Sequence, residues 1–343
     1  MATDINKTTT IHVRNLDVGF PIEEKHIIHN VSFIVRKGEI NGFLGISGAG
    51  KTTIIRVLTC QIANKFWTGD VSVAGFDPSD SGQHADLLAK IGYVPQLENL
   101  NLYYDLSPMV NVEIFASPYG IDKKEAKKIA ERLFTILDVP KDTWYNKTRN
   151  MSGGEKKRLS MALGLIHEPD ILFLDEPTTG VDASKRYDIL GYLKKLNRKL
   201  GTTMLIITHD LEAAHICDTV AILRAGRLLE YESPQKLIDS LPSGGQIARV
   251  TIPELNSDVI NQIKEFPFVR NVMRGGNEIL EIFMEDFETN LPKLVEKTIK
   301  DGIKIISLSR DKATFRRYFQ LRISEEEERE RIKKSQKEGR SDE

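Results

Sequence analysis

The stretch Gly45-Ile46-Ser47-Gly48-Ala49-Gly50-Lys51-Thr52-Thr53 limits what this chain can fold into more than any other, because it fits GxxxxGK(S/T) in a strand–loop–helix context. The apolar run Ile40 to Leu44 before it reads as a buried strand, and Ile54, Ile55, Val57 and Leu58 after it recur at helical spacing. A strand turning sharply into a helix leaves backbone N–H groups unpaired at the turn, and those donors face whatever sits there. Glycines let the backbone curl round an anion without a Cβ in the way. In such a loop Lys51 would neutralise the β- and γ-phosphates of a nucleotide, and the Thr52 hydroxyl would ligate Mg²⁺. The predicted class is therefore α/β, with a mainly parallel sheet whose carboxyl edge binds ligand.

Other residues fall where that edge should be. Ile91 to Val94 reads as a buried strand followed by Gln96, which can hold a metal or a water near the phosphates. Ile171 to Leu174 is a continuous apolar strand ending in Asp175 and Glu176. Adjacent acids at a strand end are costly unless something cationic sits there. Asp175 suits a hydrated Mg²⁺, and Glu176 suits a general base that polarises an attacking water. Thr203 to Thr208 forms a further strand, and His209 follows it within reach of a γ-phosphate. Ser152-Gly153-Gly154-Glu155 opens a helix with Ser152 as N-cap, a second anion-ready helix end in a chain with one phosphate loop. Phe20, on a loop between two early strands, offers an aromatic face to a base. The segment from Leu97 to Pro108, with Tyr103 and Tyr104, reads as an exposed contact surface.

Lys plus Arg number 48 against 49 Asp plus Glu, a balance that argues against a dedicated nucleic-acid binder. Cys60 and Cys217 both lie in apolar segments, which points to buried thiols in a reducing compartment. No run reaches the ~18 apolar residues of a membrane span, so any membrane role is expected to work through a partner.

Taken together, Gly45 to Thr53, Gln96, Ser152 to Glu155, Asp175-Glu176, Asp182 and His209 occur in the order seen in ATP-binding-cassette ATPases. From about residue 10 to 240 the chain resembles the nucleotide-binding subunit of an ABC transporter. The resemblance implies a RecA-like P-loop core with an antiparallel β subdomain and a helical subdomain. It implies that Gly45, Ser47, Gly48, Ala49, Gly50, Lys51, Thr52 and Thr53 form the Walker A loop and that Ile171 to Asp175 is Walker B. Glu176 would be the catalytic base, Gln96 the Q-loop glutamine and His209 the switch histidine. Phe20 would be the A-loop aromatic and Asp182 part of the D-loop. Thr52, Gln96 and Asp175 would hold Mg²⁺ with ATP. In this family Ser152, Gly153, Gly154 and Glu155 complete the site of the facing subunit, so a second ABC subunit is expected, with transmembrane permease subunits beyond it. A cytoplasmic chain, peripheral on the inner face of the cell membrane, is the expected location. Ile46-Ser47 replace the usual Pro-Asn, and Glu155 stands where Gln is frequent.

Two other functions remain open on sequence: a soluble ABC ATPase acting on nucleic acid or ribosomes, and a nucleotide-sensing module without turnover. Only residues 97–151 separate Gln96 from Ser152, too few for the long coiled coil of many soluble ABC ATPases.

Leu241-Pro242-Ser243-Gly244-Gly245 marks a boundary, and residues 246–320 read as a small α+β domain. Strands at Ala248 to Ile252, Asn271 to Arg274, Ile279 to Met284 and Ile303 to Leu308 alternate with two helices in a ferredoxin-like βαββαβ order. Its placement resembles the accessory domain of subunits serving ABC-2-type exporters. Where that family carries an acidic pair, this chain has Phe315-Arg316-Arg317-Tyr318-Phe319. The charged tail, 321–343, reads as a solvated helix with the i,i+4 pairs Glu325–Arg329, Glu327–Arg331 and Glu330–Lys334.

Overall fold

A computed structural model describes residues 9–20 and 25–341 of the chain. They form two compact units that divide between Glu232 and Ser233.

The first unit is built on a sheet of β3 (Ile40–Leu44), β5 (Ile91–Val94), β6 (Ile171–Asp175), β7 (Thr203–Thr208), β8 (Thr219–Arg224) and β9 (Arg227–Glu232). Their order is β5-β6-β7-β3-β8-β9, parallel except for the edge strand β9. Every residue of β3, β6 and β7 is buried, as expected of parallel strands covered on both faces. The helix after the phosphate loop, α1 (Lys51–Leu58), packs Ile54, Ile55, Val57 and Leu58 into this core.

β1 (Thr9–Phe20), β2 (Lys25–Arg36) and β4 (Trp67–Val73) make a separate antiparallel sheet in the order β2-β1-β4. Both early strands are longer than the sequence indicated, and Phe20 is the last residue of β1 rather than a loop residue. Gly69 lies inside β4 at φ +129. It faces a bulge between Arg14 and Asp17 of β1, where a Cβ would come within 2.9 Å of backbone oxygens.

After α2 (His84–Lys90), a helical region inserted between β5 and β6 holds α3 (Pro108–Ala116), α4 (Lys123–Ile136) and α5 (Gly153–Gly164). Asp122 caps α4 through the amides of Lys124 and Glu125. Helix α6 (Ala183–Leu200) connects β6 to β7.

In the second unit, α7 (Pro234–Asp239) packs on α10 (Phe315–Ser341), and Asp239 pairs with Lys312 at 3.0 Å. Those contacts carry the division to a point before the Pro-Gly stretch. The sheet of β10 (Gln246–Thr251), β11 (Val269–Arg274), β12 (Ile279–Met284) and β13 (Ser307–Lys312) is antiparallel in the order β11-β12-β10-β13. With α8 (Ser257–Lys264) and α9 (Phe287–Lys300) it makes the βαββαβ sandwich. The last strand lies later than its apolar run: Ile303 is drawn into the core from a loop, and the edge strand itself is polar and mostly exposed.

Helix α10 begins at Phe315 and runs through residue 321 without a break. Arg317, in the charge-reversed stretch, places Nε 2.6 Å from the buried carboxylate of Glu281 on β12. The positive charge is thus part of how α10 covers the sheet. Further along, Arg329 turns to Glu326 at 3.6 Å rather than to Glu325, since i,i+3 neighbours are as close as i,i+4 ones. The Lys334 side chain lies outside the described residues.

Candidate functional site

The loop after β3 needs its glycines at two points. A Cβ at Gly45 would lie 2.4 Å from the Leu223 carbonyl oxygen of β8. Gly50 is left-handed at φ +99, and a Cβ there would lie 2.5 Å from Ile28 Cδ1. Together they bring the backbone close under the loop and start α1 at Lys51. The Lys51 ammonium folds back across the loop, donating to Gly45 O at 2.7 Å and Ile46 O at 3.1 Å. Burial lowers its pKa, and the nearby charges of Glu176 and Asp175 oppose that shift.

Strand register sets the rest. Leu44 pairs with Thr208, Ile207 with Asp175, and Leu174 with Val94, so four carboxyl ends share one edge. Gln96, Asp175, Glu176 and His209 therefore converge on the loop. Asp175 is buried, and burial followed by the charge of Glu176 raises its pKa. The Tyr93 hydroxyl donates to Asp175 Oδ2 at 3.4 Å, and burial with that neighbouring charge pushes it up to about 12.

Glu176 is held more tightly. Its backbone is left-handed at φ 49, unusual for a residue other than glycine. Its N–H donates to Ile207 O at 2.8 Å. Its Oε2 accepts from Thr208 Oγ1 at 3.0 Å and Thr179 Oγ1 at 3.3 Å, and lies 2.9 Å from His209 Nδ1. A carboxylate fixed this way at a strained turn is oriented before any ligand arrives.

Ser47, Gly48, Ala49, Gly50, Lys51, Thr52, Thr53, Gln96, Asp175, Glu176 and His209 all line one pocket of about 670 Å³, a volume suited to a nucleotide. Gly45 is buried beneath it. Phe20 is not among the lining residues; its ring packs on Phe66 with centroids 5.2 Å apart. His26 and His29, stacked with ring centroids 6.0 Å apart, line the pocket instead. In the sequence their one signal is the spacing, two histidines three apart on a strand leading to a phosphate loop.

Ser152, Gly153, Gly154, Glu155 and Asp182 do not line this pocket. Ser152 and Glu155 close a capping box at the start of α5: Ser152 N donates to Glu155 Oε2 at 2.8 Å, and Glu155 N donates to Ser152 Oγ at 3.4 Å. A Cβ at Gly153 or Gly154 would meet nothing within 4 Å, so this helix end is open to an outside group. Asp182 is exposed and makes no side-chain cap to α6.

Among the described residues no cluster of three or more His, Cys, Asp or Glu could hold a metal alone. Mg²⁺ does not require one, since it is commonly bound by one or two carboxylates, waters and substrate phosphates. Thr52, Gln96 and Asp175 supply hard oxygen donors on one pocket, and the carboxylate of Asp175 lacks a full counter-charge. The donor set fits. Among the described residues no helix is long and apolar enough to cross a membrane.

Residues 28–179 match the ABC transporter family model. A linearmycin resistance ATP-binding protein of Bacillus subtilis is 28% identical over 298 residues, covering 86% of this chain and 93% of that protein. A Nod factor export ATP-binding protein of Burkholderia lata is 34% identical, over 67% of this chain and 73% of its own length. A methionine import ATP-binding protein of Haemophilus influenzae is 35% identical, over 64% of each chain. Among solved structures, an ATP-binding cassette dimer in a post-hydrolysis state bound to ADP and Pi superposes with a TM-score of 0.58. It is 26% identical and covers 65% of this chain and 98% of that one.

Proposed function

The chain belongs to the ABC transporter family as an ATP-binding, ATP-hydrolysing subunit, and on that premise we propose that it works as one half of a pair that closes on two ATP molecules to drive export through separate membrane subunits. The observation that carries the pairing is the split between the residues expected to act. Lys51, Gln96, Asp175, Glu176 and His209 share one pocket, while Ser152 to Glu155 and Asp182 lie outside it on open surface. A second copy or a sister subunit would present its own Ser152–Glu155 helix end to this pocket's γ-phosphate.

Within the pocket the loop amides and Lys51 would bind the phosphates, and Lys51 would exchange its carbonyl partners for phosphate oxygens. Thr52, Gln96 and Asp175 would hold Mg²⁺, which when bound would offset the charge of the phosphates. Glu176 would accept a proton from the attacking water as its oxygen bonds to the γ-phosphorus and the bond to the β-phosphate oxygen breaks. His209 would orient that carboxylate and contact the γ-phosphate.

Leu97, Leu100 and Tyr103 are 55%, 71% and 52% exposed, and Val110 and Ile114 of α3 are exposed apolar residues as well. Tyr104, by contrast, is half-buried under Lys156. We assign this surface to the membrane partner. The similarity to resistance and export proteins supports export, and with it a working position at the cytoplasmic face of a membrane is part of the proposal.

The test is purification from detergent-solubilised membranes with Mg-ATP. Phosphate release together with co-purification of a multi-spanning membrane protein supports the proposal. Recovery with ribosomes or nucleic acid alone, or nucleotide binding without turnover, refutes it.

A further inference from the structure

Lys157 has no solvent-exposed side-chain surface, a rare state for a lysine. It sits in α5 just beyond the Ser152–Glu155 helix end. Its ammonium donates to the backbone carbonyl of Gln96 at 2.9 Å and pairs with Glu98 Oε1 at 3.0 Å. Two more contacts lace the same helix to the same loop. Ser160 Oγ donates to Asn101 Oδ1 at 3.0 Å, and Lys156 lies over the Tyr104 ring at 5.2 Å. The chain thus invests a buried cation in fixing the loop that carries Gln96.

We infer that Lys157 is a positioning residue that sets Gln96 in the nucleotide pocket from the helix bearing Ser152-Gly153-Gly154-Glu155. The inference rests on the ATPase reading above. An ammonium holding the Gln96 carbonyl fixes that peptide plane, and the plane sets the direction in which the Gln96 side chain leaves the backbone. A buried ammonium has few alternative partners, so the loop follows α5 when α5 moves. An event at the open end of α5 is then felt in the chain's own pocket through one side chain. Lys157 touches no substrate; it acts through Gln96.

Three variants of the full chain test this: Lys157→Met, Glu98→Gln and the two combined. Lys157→Met is expected to lower kcat for phosphate release by about 10–100-fold. Its affinity for a fluorescent ADP analogue should stay within about twofold, because the phosphate contacts lie on the loop and α1. Amide exchange should speed up across residues 97–104 and stay unchanged across 51–58. The double variant should turn over no more slowly than Lys157→Met alone, since both changes remove one link. Retained kcat in Lys157→Met overturns the inference. So does a parallel loss of ADP affinity and of protection in 51–58, which would mark general damage, and so do losses that multiply in the double variant. If Lys157→Met does not fold, the double variant, which lacks the stranded carboxylate, carries the same measurements; failure of both to fold assigns Lys157 a purely structural role and overturns the proposal. Wild-type protein that releases no phosphate would instead refute the ATPase reading itself.

Discussion

Replacing Glu176 with Gln isolates proton transfer from everything else the residue does. Oε2 of Glu176 sits among Thr208 Oγ1, Thr179 Oγ1 and His209 Nδ1, at 3.0, 3.3 and 2.9 Å. A glutamine carbonyl oxygen in that position still accepts from both threonines and from a His209 N–H, and the side chain keeps its length. The left-handed backbone at φ 49 is strained equally for either residue. Folding stability should therefore change by less than about 0.5 kcal/mol. What disappears is basicity. General-base catalysis is worth about 10²–10⁴-fold. At 1.36 kcal/mol per tenfold, the barrier should rise by roughly 2.7–5.4 kcal/mol. Nucleotide binding survives because Lys51 and the loop amides are untouched, so the paired, ATP-loaded form should accumulate. Single-turnover phosphate release measures the first effect and light scattering with Mg-ATP the second. Turnover above about a tenth of wild type would remove Glu176 from the base role. Slow turnover with no increase in mass would keep Glu176 and discard the pairing.

Lys51→Ala should weaken ATP binding by roughly 10–100-fold, the loss of a charge-assisted contact of about 1.5–3 kcal/mol, read by equilibrium titration. For Asp175, burial and the Glu176 charge raise the folded-state pKa, so the favourable contribution of its protonated form is present in acid and fades as pH rises through that raised value. Asp175→Asn should accordingly raise the nucleotide-free Tm at neutral pH and flatten its pH dependence, while Mg²⁺-dependent ATP binding is lost. In wild type that binding should weaken as pH falls toward the raised pKa; a Tm with the same pH dependence in both proteins would contradict the assignment. In the second unit, Arg317→Met leaves the carboxylate of Glu281, whose side chain is 7% exposed, with Arg249 at 3.8 Å as its remaining cation, and should cost about 1.5–3 kcal/mol in urea unfolding of that unit. A change of less than about 0.5 kcal/mol would show that Arg249 alone compensates the buried carboxylate.

The nucleotide-binding core was readable because its signals are local. Continuous apolar strands, a glycine loop and acids at a strand end are each set by a few adjacent residues, and β7 falls where its run of apolar residues said it would. Features that depend on distant segments were not readable. Lys157 looks like any lysine of a charged helix until the loop after β5 folds over it. Phe20 has the sequence position of a base-stacking aromatic, but its ring is taken up by Phe66, on a segment beyond the phosphate loop. The reversed charge at Arg317 has no partner near it in sequence, because Glu281 lies on β12, a distant strand.

The pocket of the single chain also explains why binding and pairing should be coupled. Lys51 sits with two loop carbonyls as partners and a pKa lowered by burial, and Asp175 sits beside Glu176 with its own pKa raised. Each charge is held where water is scarce, and burial outweighs the opposite charges beside it. A phosphate chain with a divalent cation would add a partner for the ammonium and one for the carboxylate together. The space around Gly153 and Gly154 is open, so in the proposed pair that helix end would be free to meet an anion held by the other subunit. On the proposed pairing, nucleotide binding would compensate these charges first, and a neighbouring helix end would reach the same γ-phosphate second.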